Sequence, residues 1–165
     1  MKGAPDAPVE LLWFSDVRSP LTVKASQIVA DLLRKYPSQL RVTLRHRPVD
    51  VRADGRLAHE AAVAAGAQGK FWEMHDLIVA SGKTVTKDSL AAMASELGLD
   101  VSRFTAELDA GRYRPVVDRD LADAQRRDVR GTPVFIIEGQ RIDGVQPMAM
   151  FEQAIKTAIE RKGGQ

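Results

Sequence analysis

The chain has 165 residues, 44% of them apolar and 28% charged, with a formal net charge of +2 and no cysteine. That is the size of one domain, or of one domain with a sizeable insertion, and enough chain to bury a core without a metal or disulfide staple. The composition excludes a disordered polymer, the missing cysteines exclude disulfides, thiolate metal centres and thiol nucleophiles, and so small a charge makes no case for a nucleic-acid partner.

Residues 1–8 carry two prolines and lack the apolar stretch of a secretory signal, so they read as a linker or an expression start. Val9-Glu10-Leu11-Leu12-Trp13-Phe14 is short, apolar and rich in β formers, and predicts a buried strand. Ser19 then suits a helix N-cap and Pro20 a first helical residue, a position that needs no amide donor. Leu21, Ala25, Ile28, Val29, Leu32 and Leu33 recur at helical spacing, and Tyr36-Pro37 ends the run. Residues 41–46 alternate, with Val42, Leu44 and His46 on one side, and predict a second strand parallel to the first.

From about Leu57 to Val129 the pattern is helical throughout. Five helices are marked by Leu57, by Phe71, Met74, Leu77 and Ile78, by Leu90, Met93 and Leu97, by Val101, Phe104 and Leu108, and by Val117, Leu121 and Ala124. Strand signals return at Val134-Phe135-Ile136-Ile137 and Arg141-Ile142-Asp143, joined by the tight turn Glu138-Gly139-Gln140 as a hairpin. A last helix starts near Gln146-Pro147, with Met148, Phe151, Ile155 and Ile159 on one face. No apolar run approaches the roughly 20 residues that span a bilayer. The order β-α-β, helical block, β-β-α is an α/β fold with residues 9–50 and 130–162 as its core and 51–129 as an all-helical insertion.

That order, with a proline just before the third strand, resembles the thioredoxin arrangement. With its helical insertion, the chain resembles the DsbA-like thiol–disulfide oxidoreductases. Three stretches carry the likeness. Phe14-Ser15-Asp16-Val17-Arg18-Ser19-Pro20-Leu21-Thr22 aligns with the family's active-site region, which runs Phe-Ser-Asp-aromatic-x-Cys-Pro-x-Cys. Gln68-Gly69-Lys70-Phe71-Trp72-Glu73-Met74-His75-Asp76-Leu77 matches its helical domain. Val129-Arg130-Gly131-Thr132-Pro133-Val134-Phe135-Ile136-Ile137-Glu138-Gly139 matches the loop where the family has a cis-proline. The departure lies at the chemistry: Ser19 stands at the nucleophilic cysteine and Thr22 at the resolving one, while Val17 and Leu21 replace positions that are often aromatic.

Thiol–disulfide exchange needs a thiolate, and Ser19-Pro20-Leu21-Thr22 offers none, so the motif is degenerate and no catalytic residue is assigned for disulfide exchange. Ser19 reads first as a helix cap worth about 1 kcal/mol. What the resemblance leaves available is the groove beside the cis-proline, where main-chain groups can pair with an extended peptide. Arg18, Ser19, Arg130, Thr132 and Pro133 are the candidate peptide or ligand contacts. The expectation is a redox-inactive binding or structural module whose partner is a polypeptide segment, another thioredoxin-like domain or a second copy of itself. The alternative is a glutathione-dependent transferase or isomerase: kappa-class glutathione transferases resemble this chain in fold and hold the glutathione thiolate with a Ser-Pro pair at the same helix start. Whether the chain is an enzyme therefore stays open. No cofactor is called for. The resemblance implies a periplasmic or exported setting, and the chain can equally be one unit of a longer protein.

His46, His59 and His75 form no metal-binding spacing and read as surface or partly buried side chains, His46 on a strand and His59 and His75 on separate helices. Arg45, Arg47, Arg112, Arg114, Arg126 and Arg127 alternate with Asp118, Asp120, Asp123 and Asp128, the pattern of a solvated helix surface. Phe71 and Trp72 read as core.

Overall fold

The computed structural model describes residues 1–49, 53–82 and 85–163. Among these residues five strands form one sheet: β1 (Lys2–Gly3), β2 (Val9–Ser15), β3 (Leu40–His46), β4 (Val134–Ile137) and β5 (Gln140–Asp143), in the order β1-β3-β2-β4-β5. β2 and β3 are parallel, and the other three pairings are antiparallel. Parallel neighbours need a crossover, which α1 (Leu21–Lys35) supplies, whereas the two-residue turn Glu138-Gly139 joins the β4–β5 hairpin. The helices α2 (Ala53–Gly66), α3 (Phe71–Ser81), α4 (Lys87–Glu96), α5 (Val101–Asp109) and α6 (Arg114–Arg126) follow β3, and α7 (Met148–Gly163) closes the chain. This is the thioredoxin-like α/β order with a helical block between its halves.

Alternation along the strands sorts the core onto two faces. Leu11, Trp13, Val42, Leu44, Phe135 and Ile137 share one face with Ala25, Val29 and Leu32 of α1 and Phe151, Ala154 and Ile155 of α7. Phe14, Val134 and Ile136 share the other with Ala124 of α6 and with Val129. The register explains the sorting: Trp13 lies between Leu44 and Phe135, and Phe14 between Arg45 and Val134. The helical block has its own core, where Ala58, Ala61, Ala62, Ala64 and Ala65 of α2 let Met74, Ile78, Leu90 and Phe104 approach closely.

Three elements differ from the sequence reading. Residues 1–8 are more than a linker: Lys2–Gly3 pairs with Arg41 and Val42, and the Arg41 guanidinium donates to the carbonyls of Pro5 (3.3 Å) and Ala7 (3.2 Å). Gly3 permits this, because its φ is +99° and a Cβ there would sit 2.6 Å from the Leu40 carbonyl oxygen. α2 begins at Ala53, four residues before Leu57, because its polar first turn carries no apolar period. Pro20, expected as the first helical residue, occupies the cap position of α1, and Ser19 lies one residue outside the helix.

Candidate functional site

The parallel strands β2 and β3 end side by side, and the site is built from what leaves those ends. Beyond Ser15 the chain folds back on itself. The Ser19 amide donates to the Asp16 carbonyl (2.9 Å) and the Thr22 amide to the Ser19 carbonyl (2.9 Å), so a turn runs into the first turn of α1. The Ser19 hydroxyl accepts from the Leu21 amide at 3.3 Å, a weak version of the expected cap. Thr22 is fully buried; its hydroxyl donates to the Asp16 carbonyl at 2.7 Å and lies 3.4 Å from the Ser15 hydroxyl. The position expected to carry a resolving cysteine thus holds a packed, hydrogen-bonded threonine.

The Asp16 carboxylate ties three elements together. It accepts from the Arg18 amide (3.0 Å) and the Val49 amide (3.0 Å), and its Oδ1 lies 3.3 Å from His59 Nε2. His59 Nδ1 in turn lies 3.0 Å from His46 Nδ1. Both imidazoles are buried. Burial lowers His46 far below the ordinary histidine value, reinforced by the nearby positive charge of Arg45 and Arg119. Burial also lowers His59, although Asp16 opposes it. Burial alone would raise the Asp16 carboxyl, but hydrogen bonds from His59, Val49 and Arg18 outweigh it and hold Asp16 below its usual range. Hydrogen-bond chemistry then assigns the protons. Neutral His59 donates Nε2–H to the Asp16 carboxylate and accepts at Nδ1 from His46 Nδ1–H, the arrangement that leaves no acceptor facing an acceptor.

The opposite wall is the loop before β4. Phe14 pairs with Val134 in an antiparallel ladder, so the register carries Pro133 to the end of β2, where the 16–19 turn begins. The Thr132–Pro133 peptide is cis, and the Pro133 carbonyl accepts from the Gly144 amide at 2.8 Å. The Arg47 guanidinium holds the loop from the β3 side, donating to the carbonyls of Val129 (3.1 Å), Arg130 (3.2 Å) and Pro48 (2.9 Å).

The expected contacts divide accordingly. Arg18, Ser19 and Thr132 are half-buried and Pro133 is buried, all at this end of the sheet. Arg130 stands out into solvent and is bonded to Asp128 at 2.8 Å. Beside the 16–19 turn Leu21 and Val49, whose amide bonds to Asp16, are exposed by 43% and 57%. Two further expectations are corrected. The histidines are fully buried rather than surface or partly buried, and β3 and α2 bring His46 and His59 into direct contact. Asp120 is not part of a solvated face: it is 2% exposed and accepts from the His46 amide (3.1 Å) and from Arg45 (3.2 Å), because α6 packs its side chain against the edge of β3. A histidine set among buried alanines of α2 was the available signal for the first of these. Among the described residues no group of three or more His, Cys, Asp or Glu side chains is placed to hold a metal ion.

A family model described as a DSBA-like thioredoxin domain matches residues 15–156. A Na(+)/H(+) antiporter NhaA of Salinispora tropica is 35% identical over 160 residues, which is 96% of this chain and 24% of that protein. The chain spans about a quarter of the length of the curated relatives it matches. Oxidised BdbD of Bacillus subtilis superposes with a TM-score of 0.85 at 18% identity, over 96% of this chain and 91% of that one. A thioredoxin-like oxidoreductase of Silicibacter pomeroyi gives 0.83 at 24% identity, over 96% and 91%.

Proposed function

The chain belongs to the DSBA-like thioredoxin domain family, and from that premise we propose that it is a redox-inactive, polypeptide-binding module that uses the rim of Arg18, Ser19, Thr132 and Pro133. The observation that carries this reading is the state of the two motif positions. Neither holds sulfur, and Thr22 Oγ1 is buried and already bonded to the Asp16 carbonyl. A helix N-terminus stabilises an anion by about 0.3–1 kcal/mol, at most about 2. That is roughly one pKa unit, far too little to ionise an aliphatic hydroxyl near neutral pH, and oxygen forms no mixed disulfide.

What remains at this corner suits a partner chain. The Thr132 backbone forms part of the rim, and exposed Leu21 and Val49 offer apolar contacts near the 16–19 turn. The relatives favour one class of partner. In the antiporters of Salinispora tropica and Herminiimonas arsenicoxydans a stretch similar to this chain makes up about a quarter of a membrane transporter. We read the module here as one that engages a transporter polypeptide of that kind.

Two measurements test the reading. The purified chain reduces no insulin disulfide and oxidises no dithiol peptide; turnover in either assay without added thiol rejects it. In an amide NMR titration with an extended peptide from an antiporter loop, shifts at Ser19, Thr132 and Gly131 support the rim, and unchanged resonances there remove it. A second reading keeps Ser19 as a ligand for a glutathione thiolate, favoured by a hydroxyl that only accepts among the described residues and so retains its proton for a ligand. Saturable heat on glutathione titration, abolished by Ser19→Ala, selects it; flat heats up to millimolar glutathione dismiss it.

A further inference from the structure

The Asp16–His59–His46 chain reaches the rim through Asp16, and it can take up a proton by proton shifts alone. The 3.0 Å contact between the two Nδ1 atoms holds one proton, which in the neutral pair sits on His46. A further proton, added from solvent, has two places to go. On His46 it meets Arg45 of the same strand, Arg119 of α6 and His75 of α3, while the Asp120 carboxylate is already bonded to the His46 amide and to Arg45. On His59 it lies 3.3 Å from the Asp16 carboxylate, with Asp120 also attracting it and His75 as the opposing group. Opposite charge at contact distance decides the choice, so His59 takes it. His46 then carries its own proton on Nε2 and accepts at Nδ1 from His59, which donates at both ring nitrogens. Both rings are buried, and Phe71 of α3 packs edge-on against His46 with ring centres 5.8 Å apart. The two histidines therefore titrate as a unit.

The consequence falls on the rim. Asp16 belongs to the turn that carries Arg18 and Ser19, and its carboxylate accepts from the Arg18 amide at 3.0 Å and the Val49 amide at 3.0 Å. A charged His59 cancels that carboxylate. The corner then gains one positive charge beside Arg18 and beside the Arg47 guanidinium, which holds the carbonyls of Val129 and Arg130. No backbone bond has to break, so the change is one of charge rather than shape.

We propose that the Asp16–His59–His46 chain is a proton-operated charge switch that makes the rim a better receptor for an acidic polypeptide segment as the pH falls. This rests on the rim being the polypeptide-binding surface, and adds the class of segment and its regulation. Linkage runs both ways: an acidic segment seated at the rim raises the affinity of His59 for its proton.

The probes are two peptides, one alternating glutamate and valine, the other glutamine and valine. Each is titrated at low salt at about pH 7.5 and about pH 5, where glutamate is still mostly ionised, with the amides of Ser19 and Thr132 as the readout. The glutamate peptide binds about fivefold tighter in acid, the effect of one charge about 8 Å away at an intermediate dielectric, and the glutamine peptide is unchanged. Asp16→Asn keeps an oxygen for the Arg18 amide and removes the charge. It binds the glutamate peptide equally at both pH values, as tightly as the unaltered protein does in acid. Nitrogen-15 spectra of the histidine rings in the unaltered protein give a readout that needs no variant. On acidification His59 loses its unprotonated nitrogen, the unprotonated nitrogen of His46 moves from Nε2 to Nδ1, and the glutamate peptide raises the midpoint of both changes. A glutamate peptide that gains nothing in acid while the glutamine peptide binds the rim overturns the switch and leaves the rim standing. Failure of both peptides to shift the rim at either pH removes both readings. A His46 ring that takes the charge, or a His59 ring still neutral at about pH 5, equally overturns the switch.

Discussion

Acidification between about pH 7.5 and 5.5 perturbs the buried Asp16–His59–His46 chain. Both imidazoles are neutral in the folded protein because burial holds them below the ordinary value of 6.5, His46 most of all. Unfolding frees them to titrate near that value. A depressed folded pKa means the unfolded chain binds the extra proton, so stability is whole above about pH 6.5 and falls as the pH drops below it. From pH 7.5 to 5.5 a free imidazole goes from about one-tenth to about nine-tenths protonated, which withdraws about 1.4 kcal/mol for each histidine that stays neutral when folded. His46, held far below 6.5, therefore accounts for a loss of up to about 1.4 kcal/mol, and His59 adds to it in the same direction. Asp16, held below its ordinary 3.8, keeps its contribution through this window and loses it only in stronger acid. Glu60 is pushed upward by burial and acts in the opposite sense, but only towards the acid end. Urea unfolding at several pH values across the window measures the loss, and the ring resonances of His46 and His59 in the folded protein attribute it. Stability that stays level to pH 5.5, or a His46 ring that titrates near 6.5 while the protein is folded, would refute the reasoning.

Two substitutions test the polar contacts around the site. Thr22→Val keeps the buried volume and removes the hydroxyl bonded to the Asp16 carbonyl. That carbonyl still accepts from the Ser19 amide, so the cost is about 1 kcal/mol in urea unfolding; a change within experimental scatter would mean the hydroxyl contributes nothing. Asp120→Ala strips the acceptor from the buried His46 amide and a counter-charge from Arg45. It should cost about 1–3 kcal/mol and speed exchange of the His46 amide, while an unaltered exchange rate would show that the amide finds another partner.

Much of the fold was legible because its elements are locally self-consistent. The near-continuous apolar runs at Val9–Ser15 and Val134–Ile137 admit only buried strands, and α1 shows one apolar stripe between a serine-proline start and a proline stop. β1 was not legible: two residues carry no period, and what holds them is Gly3 meeting the Leu40 backbone. That the 16–19 turn would meet the loop before β4 was legible, because two motif stretches, at 14–22 and 129–139, form that corner. The Asp16–His59–His46 chain was not, because its members sit on a loop, a helix and a strand, 43 and 13 residues apart in sequence. Its only trace was a histidine in a run of alanines, a place where a polar group must find a buried partner. Asp120 misled for the same reason: charge alternating along a helix looks solvated until another element covers one position.

Composition decided that no thiol chemistry can run here, since no arrangement of the chain creates the missing sulfur. Local pattern decided the strands and most of the helices, because burial periodicity and turn chemistry act over a few residues. Only packing decided which distant polar groups share protons. That outcome depends on long-range register, which is not written within any window of neighbouring residues.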